Sequence, residues 1–208
     1  MGDIPLVLLI ATVWIYWFSV GAMVVRLRRR TRKIVGLVPE QRVEQFMWLI
    51  WVPLVAAWNI LPYLALSRAL PPLGLPEFAR QAPLYATLRW GAAIVAVLCL
   101  AATFKCWARM GTDWRMDVGV GKRTELITDG MFRRIRHPIY AFSMLLMLCS
   151  AVIVPTVPMF VVAAVHIVLM NLKARNEERH LSDTHGEAYQ RYLQHTGRFF
   201  PRLGGSAR

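Results

Sequence analysis

The chain has 208 residues, of which 56% are hydrophobic and only 18% are charged. A soluble domain of this size carries about one-quarter charged residues, so the composition excludes an ordinary soluble fold and favours a membrane protein. A net charge of +13 raises the question of nucleic-acid binding. The basic residues, however, lie beside apolar blocks, where Lys and Arg mark cytoplasmic loops and contact anionic lipids, so we expect no nucleic-acid partner.

Three apolar blocks in the first half are each long enough to cross a bilayer, which takes about 20 helical residues. They are Ile4–Val25, Phe46–Leu66 and Leu84–Trp107. The positive cluster follows the first block rather than preceding it, so we predict a retained anchor and not a cleaved signal. The segment Pro71–Pro83 holds four prolines, which predicts a loop or a short interfacial piece.

The second half begins with a polar, strongly basic stretch, Ala108–His137. Two apolar pieces follow, Pro138–Val154 and Met159–Leu172, separated by a Pro-x-x-Pro break. Each is short for a membrane span, so we predict that they form a short helical hairpin. The tail from Lys173 is polar, and we predict that it is helical to about His195.

The distribution of positive charge predicts the orientation of the chain. The first loop, through Arg42, carries seven Lys or Arg, the next segment carries three, the third loop eight and the tail seven. Placing the three rich segments in the cytoplasm requires five crossings, with the N-terminus outside and the tail inside. We therefore predict an all-α integral membrane protein with about five transmembrane helices, the last two a short hairpin, and a cytoplasmic C-terminal helix.

The two polar segments that flank the hairpin are expected to meet, because a hairpin returns the chain to its starting side. One segment carries Arg136, His137 and Tyr140, and the other carries Glu177 and Glu178. Ionisable groups at a membrane boundary are costly unless they are paired or hydrated, which favours a functional site. Basic and mixed charge runs beside spans also serve as plain topology signals and solvated faces, and that alternative stays open for both segments.

Other polar and aromatic residues in the apolar blocks are weaker candidates. Asn59 and His166 each either line a polar cavity or bridge two helices, the commoner role of a single polar residue in a membrane. The aromatic cluster Trp14–Phe18 is interpreted as packing or lipid contact. The three cysteines show no CxxC spacing, so we predict neither a disulfide framework nor a metal site.

Several motifs in the second half resemble a known superfamily. Gly130-Met131-Phe132-Arg133-x-x-Arg136-His137-Pro138-x-Tyr140 resembles the signature of the isoprenylcysteine carboxyl methyltransferase and phospholipid methyltransferase superfamily. The resemblance continues through Glu177-Glu178-x-x-Leu181, Gly186-x-x-Tyr189-x-x-Tyr192 and Phe200-Pro201, and Met110-Gly111-x-x-Trp114-Arg115 resembles a loop of bacterial members. Together these motifs cover about residues 105–201, half of the chain.

The resemblance implies S-adenosylmethionine as methyl donor, bound at the cytoplasmic mouth, and a lipophilic acceptor that enters from the bilayer. By position, the implied cofactor-binding residues are Arg136, His137, Tyr140, Glu177 and Glu178. A glutamate of the 177–178 pair would accept hydrogen bonds from the cofactor's ammonium group. The implied catalytic residues are Lys173, Arg175 and Glu178, with one of the two cations holding the acceptor's carboxylate or phosphate.

Length and the apolar blocks predict a single membrane domain over residues 1–208 with three spans in 1–107. The resemblance implies that residues 108–201 are the catalytic half and that the membrane is a bacterial inner membrane. A carboxylate acceptor needs no general base, whereas an amine makes His137 or a glutamate a candidate base. Phe142 stands where many relatives have Gly, which narrows the space for cofactor or acceptor. Phe142 keeps open a non-catalytic membrane protein that binds a lipid or metabolite. A second alternative is an NADPH-dependent enzyme like the sterol reductases, which share a similar C-terminal half but are usually larger, with extra spans that this chain lacks.

Overall fold

A computed structural model of the chain describes residues 2–31, 42–67, 72–111, 114 and 126–202. Within these ranges the fold consists of seven α-helices and contains no β-strand, which confirms the all-α prediction. The helices are α1 Ile4–Thr31, α2 Arg42–Leu66, α3 Glu77–Gln81, α4 Pro83–Met110, α5 Pro138–Ile153, α6 Val157–His185 and α7 Glu187–His195. Three positions of the loop motif that begins at Met110, residues 112, 113 and 115, lie outside the described residues, as do Arg32 and Lys33 of the first loop.

Four of the helices, α1, α2, α4 and α6, are long and apolar enough to cross a membrane, and α5 is a shorter apolar helix of 16 residues. Each predicted apolar block coincides with one of these five helices. Their outward faces carry large exposed apolar side chains such as Phe18, Leu49 and Leu84, as expected for contact with lipid. The predicted integral membrane fold is confirmed, while the orientation in the bilayer stays a prediction.

The predicted hairpin differs from the observed one in the length of its second arm. Helix α5 begins at Pro138, whose missing amide proton costs nothing in the first turn of a helix. Helix α6, however, runs for 29 residues, well past the end of the apolar piece at Leu172. It ends at His185, and the next residue, Gly186, has a φ of +51° that turns the chain into α7. The polar tail is therefore an extension of a membrane helix followed by a separate short helix.

The core of the bundle lies where α4 packs against α1 and α5, and α2 packs against α6. Trp58 is fully buried there, and its indole nitrogen donates a 2.9 Å hydrogen bond to the Ser150 hydroxyl. Cys99, Cys106 and Cys149 are buried and free. A hydrogen-bonded indole in an apolar interior fixes how α2 faces α5, because leaving the N–H unpaired there costs free energy.

A buried arginine joins the helix ends at the pole of the bundle farthest from Lys173. Arg89 is only 5% exposed, and its guanidinium donates to Asp3 Oδ2 at 2.7 Å and to the Ile153 carbonyl at 3.0 Å. It also donates to the Ala79 carbonyl at 3.3 Å. A buried charge is tolerated only when it is paired and hydrogen-bonded, so this arginine ties α1, α3 and α5 to α4.

Candidate active site

A backbone crossing brings the C-terminal segment against the chain just before α5. The amides of Arg136 and His137 donate to the carbonyls of Gly197 and Arg198 at 2.8 and 3.0 Å, and the Gly197 amide donates to the Arg134 carbonyl at 3.1 Å. A side chain at position 197 would place its Cβ 1.7 Å from the Phe200 carbonyl oxygen. Only glycine therefore fits here. We call residues 134–137 and 196–198 together the clasp.

The carboxylate of Glu178 joins the clasp to α6. It accepts hydrogen bonds from Nε of Arg136 and from Nε of Arg198, each 3.0 Å from Oε1, and Arg198 Nη2 also donates to Oε2. The side chains of Glu178 and Arg136 are only 12% and 11% exposed. Arg136 donates in addition to the Thr196 carbonyl. Glu178 is thus surrounded by two guanidinium groups, and its charge is already matched by the protein.

Glu177 has a different environment, although it is the next residue along α6. The Tyr140 hydroxyl donates to Glu177 Oε2 at 3.0 Å, and His137 Nδ1 lies 3.4 Å from the same oxygen. The Glu177 side chain is 33% exposed, nearly three times as much as that of Glu178. Glu177 is therefore the more exposed of the two carboxylates and the one without an arginine partner in the clasp.

His137 lies between the two carboxylates. Its ring stacks on that of Tyr140, with centroids 5.3 Å apart and planes within 4°. Its Nε2 is 3.4 Å from Glu178 Oε1, yet among the described residues it makes no well-formed hydrogen bond. Burial by itself lowers the pKa of His137, but the neighbouring carboxylates of Glu177 and Glu178 outweigh that effect and raise the pKa above its usual value.

The two predicted acceptor-binding cations lie in separate places. Residues two apart on a helix point about 200° apart, so Lys173 and Arg175 emerge on nearly opposite sides of α6. Lys173 lines a cavity between the membrane helices. Arg175 lines an open groove on the other side, together with Glu178 and Arg198. The structure therefore brings Lys173, and not Arg175, to the membrane-embedded space.

The cavity beside Lys173 has a volume of about 100 Å³ and is mainly apolar. Tyr140 lines it, and so do Ser143 and His166, which are joined by a 3.0 Å hydrogen bond between Oγ and Nε2. The remaining lining residues are mostly aromatic and aliphatic: Tyr16, Trp17, Val20, Met47, Trp48, Trp51, Trp107, Trp114, Ile139, Leu169 and Met170. Because Tyr140 also binds Glu177, the cavity adjoins the polar site.

The other polar and aromatic residues that the sequence singled out differ in whether they line the cavity. In the aromatic cluster, Trp14 and Phe18 are 46% and 66% exposed, as lipid contact requires, whereas Tyr16 and Trp17 line the cavity. His166 lines the cavity as well. The Asn59 amide donates to the Val55 carbonyl of its own helix at 2.8 Å. Phe142, half-buried, packs against the hydrophobic core.

Sequence reasoning missed the residues that complete the site from the C-terminal end. Thr196, Gly197 and Arg198 hold the clasp and the Glu178 carboxylate. A lone Gly-Arg pair after a helix has no periodicity or spacing that points to a site. The nearby Tyr192, whose hydroxyl donates to the Phe132 carbonyl at 2.5 Å, belongs to a motif that was noted, and it fastens α7 to the same region.

A protein-family model described as phospholipid methyltransferase matches residues 87–188. The chain carries a phospholipid methyltransferase domain. This domain belongs to the integral membrane methyltransferases, and its matched part runs from α4 through α6, including His137, Tyr140 and both glutamates. No curated protein matches the chain by sequence. This family match implies an enzyme of methyl transfer and suggests lipid-type substrates.

Proposed function

We propose that the chain transfers a methyl group from S-adenosylmethionine to a lipophilic acceptor at the cytoplasmic face of the membrane. The observation that carries this proposal is the position of Glu177. Its partly exposed carboxylate is held by Tyr140, and Tyr140 also lines the cavity between the membrane helices. Tyr140 thus connects a carboxylate that can bind a cation to an apolar cavity. Methyl transfer to a lipid needs these two features side by side.

The residues present fit S-adenosylmethionine. The cofactor carries an ammonium group, for which the accessible Glu177 carboxylate is the matching partner. Two further polar atoms of the site, His137 Nε2 and the Tyr189 hydroxyl, are buried without a hydrogen-bond partner among the described residues. Buried polar atoms normally have partners, so these two atoms favour a polar ligand at this place.

The bound cofactor supplies a methyl group that is already activated by its sulfonium charge. The protein's task is then mainly alignment and exclusion of water, which together lower a barrier by several kcal/mol. The stacked rings of His137 and Tyr140 fix the position of Glu177, and Lys173 offers a positive charge to an anionic acceptor at the edge of the cavity. An amine acceptor must also lose a proton, and Glu177 is the accessible carboxylate nearest the cavity.

Calorimetry on the detergent-purified full chain tests this proposal, with S-adenosylmethionine as ligand and NADPH as control. We expect saturable binding of S-adenosylmethionine that Glu177→Gln weakens by about tenfold or more, because one charge-assisted hydrogen bond contributes about 1.5–3 kcal/mol. The matched control is Glu187→Gln, an exposed glutamate on α7 that should bind normally. Binding of NADPH alone would favour a reductase, and binding of neither would favour a non-catalytic lipid-binding protein.

A further inference from the structure

One face of α6 runs from the membrane interior to a cationic groove. Within the membrane this face carries Val161, Val168 and Leu172, which are 56%, 57% and 45% exposed, as contact with lipid requires. Arg175 and Arg179 follow farther along the same helix. At about 100° per residue, all five side chains lie within about 60° of one another around the helix axis. A lipid that lies against the three apolar side chains therefore has its headgroup beside the two arginines.

The two arginines stand at the height of the lipid headgroups. The apolar piece of α6 ends at Leu172, so Arg175 lies about 5 Å and Arg179 about 10 Å beyond it along the axis. Headgroups occupy about 5–8 Å on each side of the hydrocarbon core. Both side chains are exposed, and a long cationic side chain spans a difference of a few ångströms. Both guanidinium groups therefore reach the level of lipid phosphates.

Neither guanidinium is neutralised by a neighbouring carboxylate. Within the residues that the structure describes, neither Arg175 nor Arg179 takes part in an ion pair. Asp183 lines the same groove, and in this part of the chain it takes part in no ion pair either. Like charges four residues apart on a helix repel one another. An anion bound to both arginines removes that repulsion, so the pair favours an anionic ligand.

A third arginine completes the groove from the clasp. The groove has a volume of about 640 Å³, and its lining comes from α6, from Leu193 and from Arg198. Glu178 accepts hydrogen bonds from Nε and Nη2 of Arg198, which occupies one edge of the guanidinium. A guanidinium carries donors on its other edge as well, and Nη1 of Arg198 has no hydrogen-bond partner among the described residues. Arg198 can therefore hold Glu178 and a second oxyanion at once.

We propose that this groove binds the phosphate of an anionic membrane lipid through Arg175, Arg179 and Arg198. Guanidinium groups form charge-assisted hydrogen bonds with phosphate oxygens, frequently two in parallel. Basic pockets beside transmembrane helices also attract anionic headgroups. The acceptor cavity lies on nearly the opposite side of α6, where Lys173 lines it, so the groove is a second site. The bound lipid is an effector and not the molecule that is methylated.

The lipid acts on the active site through Arg198. A phosphate at Nη1 holds this side chain between two anions and so fixes the carboxylate of Glu178, which also binds Arg136. Arg136 and Arg198 belong to the two segments of the clasp, so we expect the lipid to tighten the clasp beside the candidate cofactor-binding residues. This inference goes beyond the proposed function and does not require that S-adenosylmethionine binds.

Native mass spectrometry of the full chain in detergent, without S-adenosylmethionine, measures lipid binding. It compares dioleoyl phosphatidylglycerol with dioleoyl phosphatidylcholine, which has the same chains and no net charge. We expect the anionic lipid to bind about tenfold more tightly or better. Each arginine near an anionic headgroup contributes about fivefold. Arg179→Gln should therefore weaken phosphatidylglycerol binding about fivefold, and the double variant with Arg175→Gln about twenty-fivefold.

Two matched variants separate the groove from other cationic surfaces. Arg191→Gln removes an exposed arginine of α7 that does not line the groove, and Lys173→Gln removes the cation that lines the cavity. Both should keep the preference for phosphatidylglycerol. Equal binding of the two lipids by the unmodified chain overturns the inference. So does a preference that Lys173→Gln abolishes, because the lipid then occupies the cavity, or one that Arg179→Gln and Arg191→Gln reduce equally.

Hydrogen exchange of the clasp amides tests the effect on the active site and the source of the phosphate. We expect phosphatidylglycerol to slow exchange about fivefold relative to phosphatidylcholine, and Arg179→Gln to reduce this effect. Unchanged exchange contradicts the coupling through Arg198. Equal slowing by glycerol phosphate in solution assigns the groove to a soluble phosphate and refutes the membrane source.

Discussion

Replacing Glu178 with glutamine should loosen the clasp, although the shape of the side chain hardly changes. The substitution removes the negative charge that faces the guanidinium groups of Arg136 and Arg198. Breaking a buried ion pair by neutralising one partner costs about 3–5 kcal/mol, because the other charge is left uncompensated. Arg198 is 32% exposed and is therefore partly screened by water, which places the expected cost at about 3 kcal/mol.

Hydrogen exchange measures this cost directly. The amides of Arg136, His137 and Gly197 are all hydrogen-bonded across the clasp, so they exchange only when it opens. A loss of about 3 kcal/mol corresponds to roughly a hundredfold faster exchange, since each tenfold change is about 1.4 kcal/mol. Mass spectrometry of peptides that cover residues 134–137 and 196–198, on protein in detergent, gives the rates.

The neighbouring glutamate provides the matched control. Glu177→Gln is the same chemical change one residue away, but its carboxylate is 33% exposed and faces Tyr140 and His137 rather than two arginines. We expect less than a tenfold change in exchange of the clasp amides, with the loss appearing in cofactor binding instead. If the two variants loosen the clasp equally, or if Glu178→Gln leaves it unchanged, the separation of roles between the glutamates is refuted.

Three further predictions concern the clasp and the opposite pole. Gly197→Ala should destabilise the clasp by about 1–3 kcal/mol as an overpacked site, whereas Gly91→Ala, with open space around it, should be neutral in the same exchange assay. The pKa of His137 is raised in the folded protein, so its positive charge stabilises the clasp fully below about pH 6.5. This stabilisation is lost as the pH rises through the raised pKa. His137→Gln should abolish the pH dependence of exchange at the clasp amides. Arg89→Met should lower thermal stability in detergent by about 3–5 kcal/mol, and Asp3→Asn by less, because two carbonyl partners remain.

The helices were predictable from sequence because apolar blocks of bilayer length permit little else. The tail is helical to His195 as predicted, but its first part continues the membrane helix α6 without a break. Hydropathy falls at Leu172, but the residues that follow include Lys, Ala, Arg and Glu, which are good helix formers, so the helix continues to His185. Hydropathy reports where the membrane segment ends, and helix propensity together with Gly186 determines where the helix ends.

Only the part of the site that follows from the hairpin could be predicted from the sequence. A hairpin between Pro138 and Leu172 forces its flanking segments together, and the contacts of Glu177 with Tyr140 and His137 follow from that. Which glutamate meets the arginines depends on the C-terminal crossing at Gly197, and nothing local in the sequence signals a crossing of two irregular segments. The opposite placement of Lys173 and Arg175, by contrast, follows from helical geometry alone.

Because α6 is continuous, it fixes the distance between the membrane interior and the polar site. His166 and Glu177 stand eleven residues apart on one uninterrupted helix, which fixes their axial separation at about 16 Å. An inserted or deleted residue between them would change that length by only about 1.5 Å but would rotate Glu177 by about 100° away from Tyr140. Under the proposed function, the register of this segment couples the cavity that takes the acceptor to the carboxylate of the polar site, and only a change of whole helical turns would preserve that coupling.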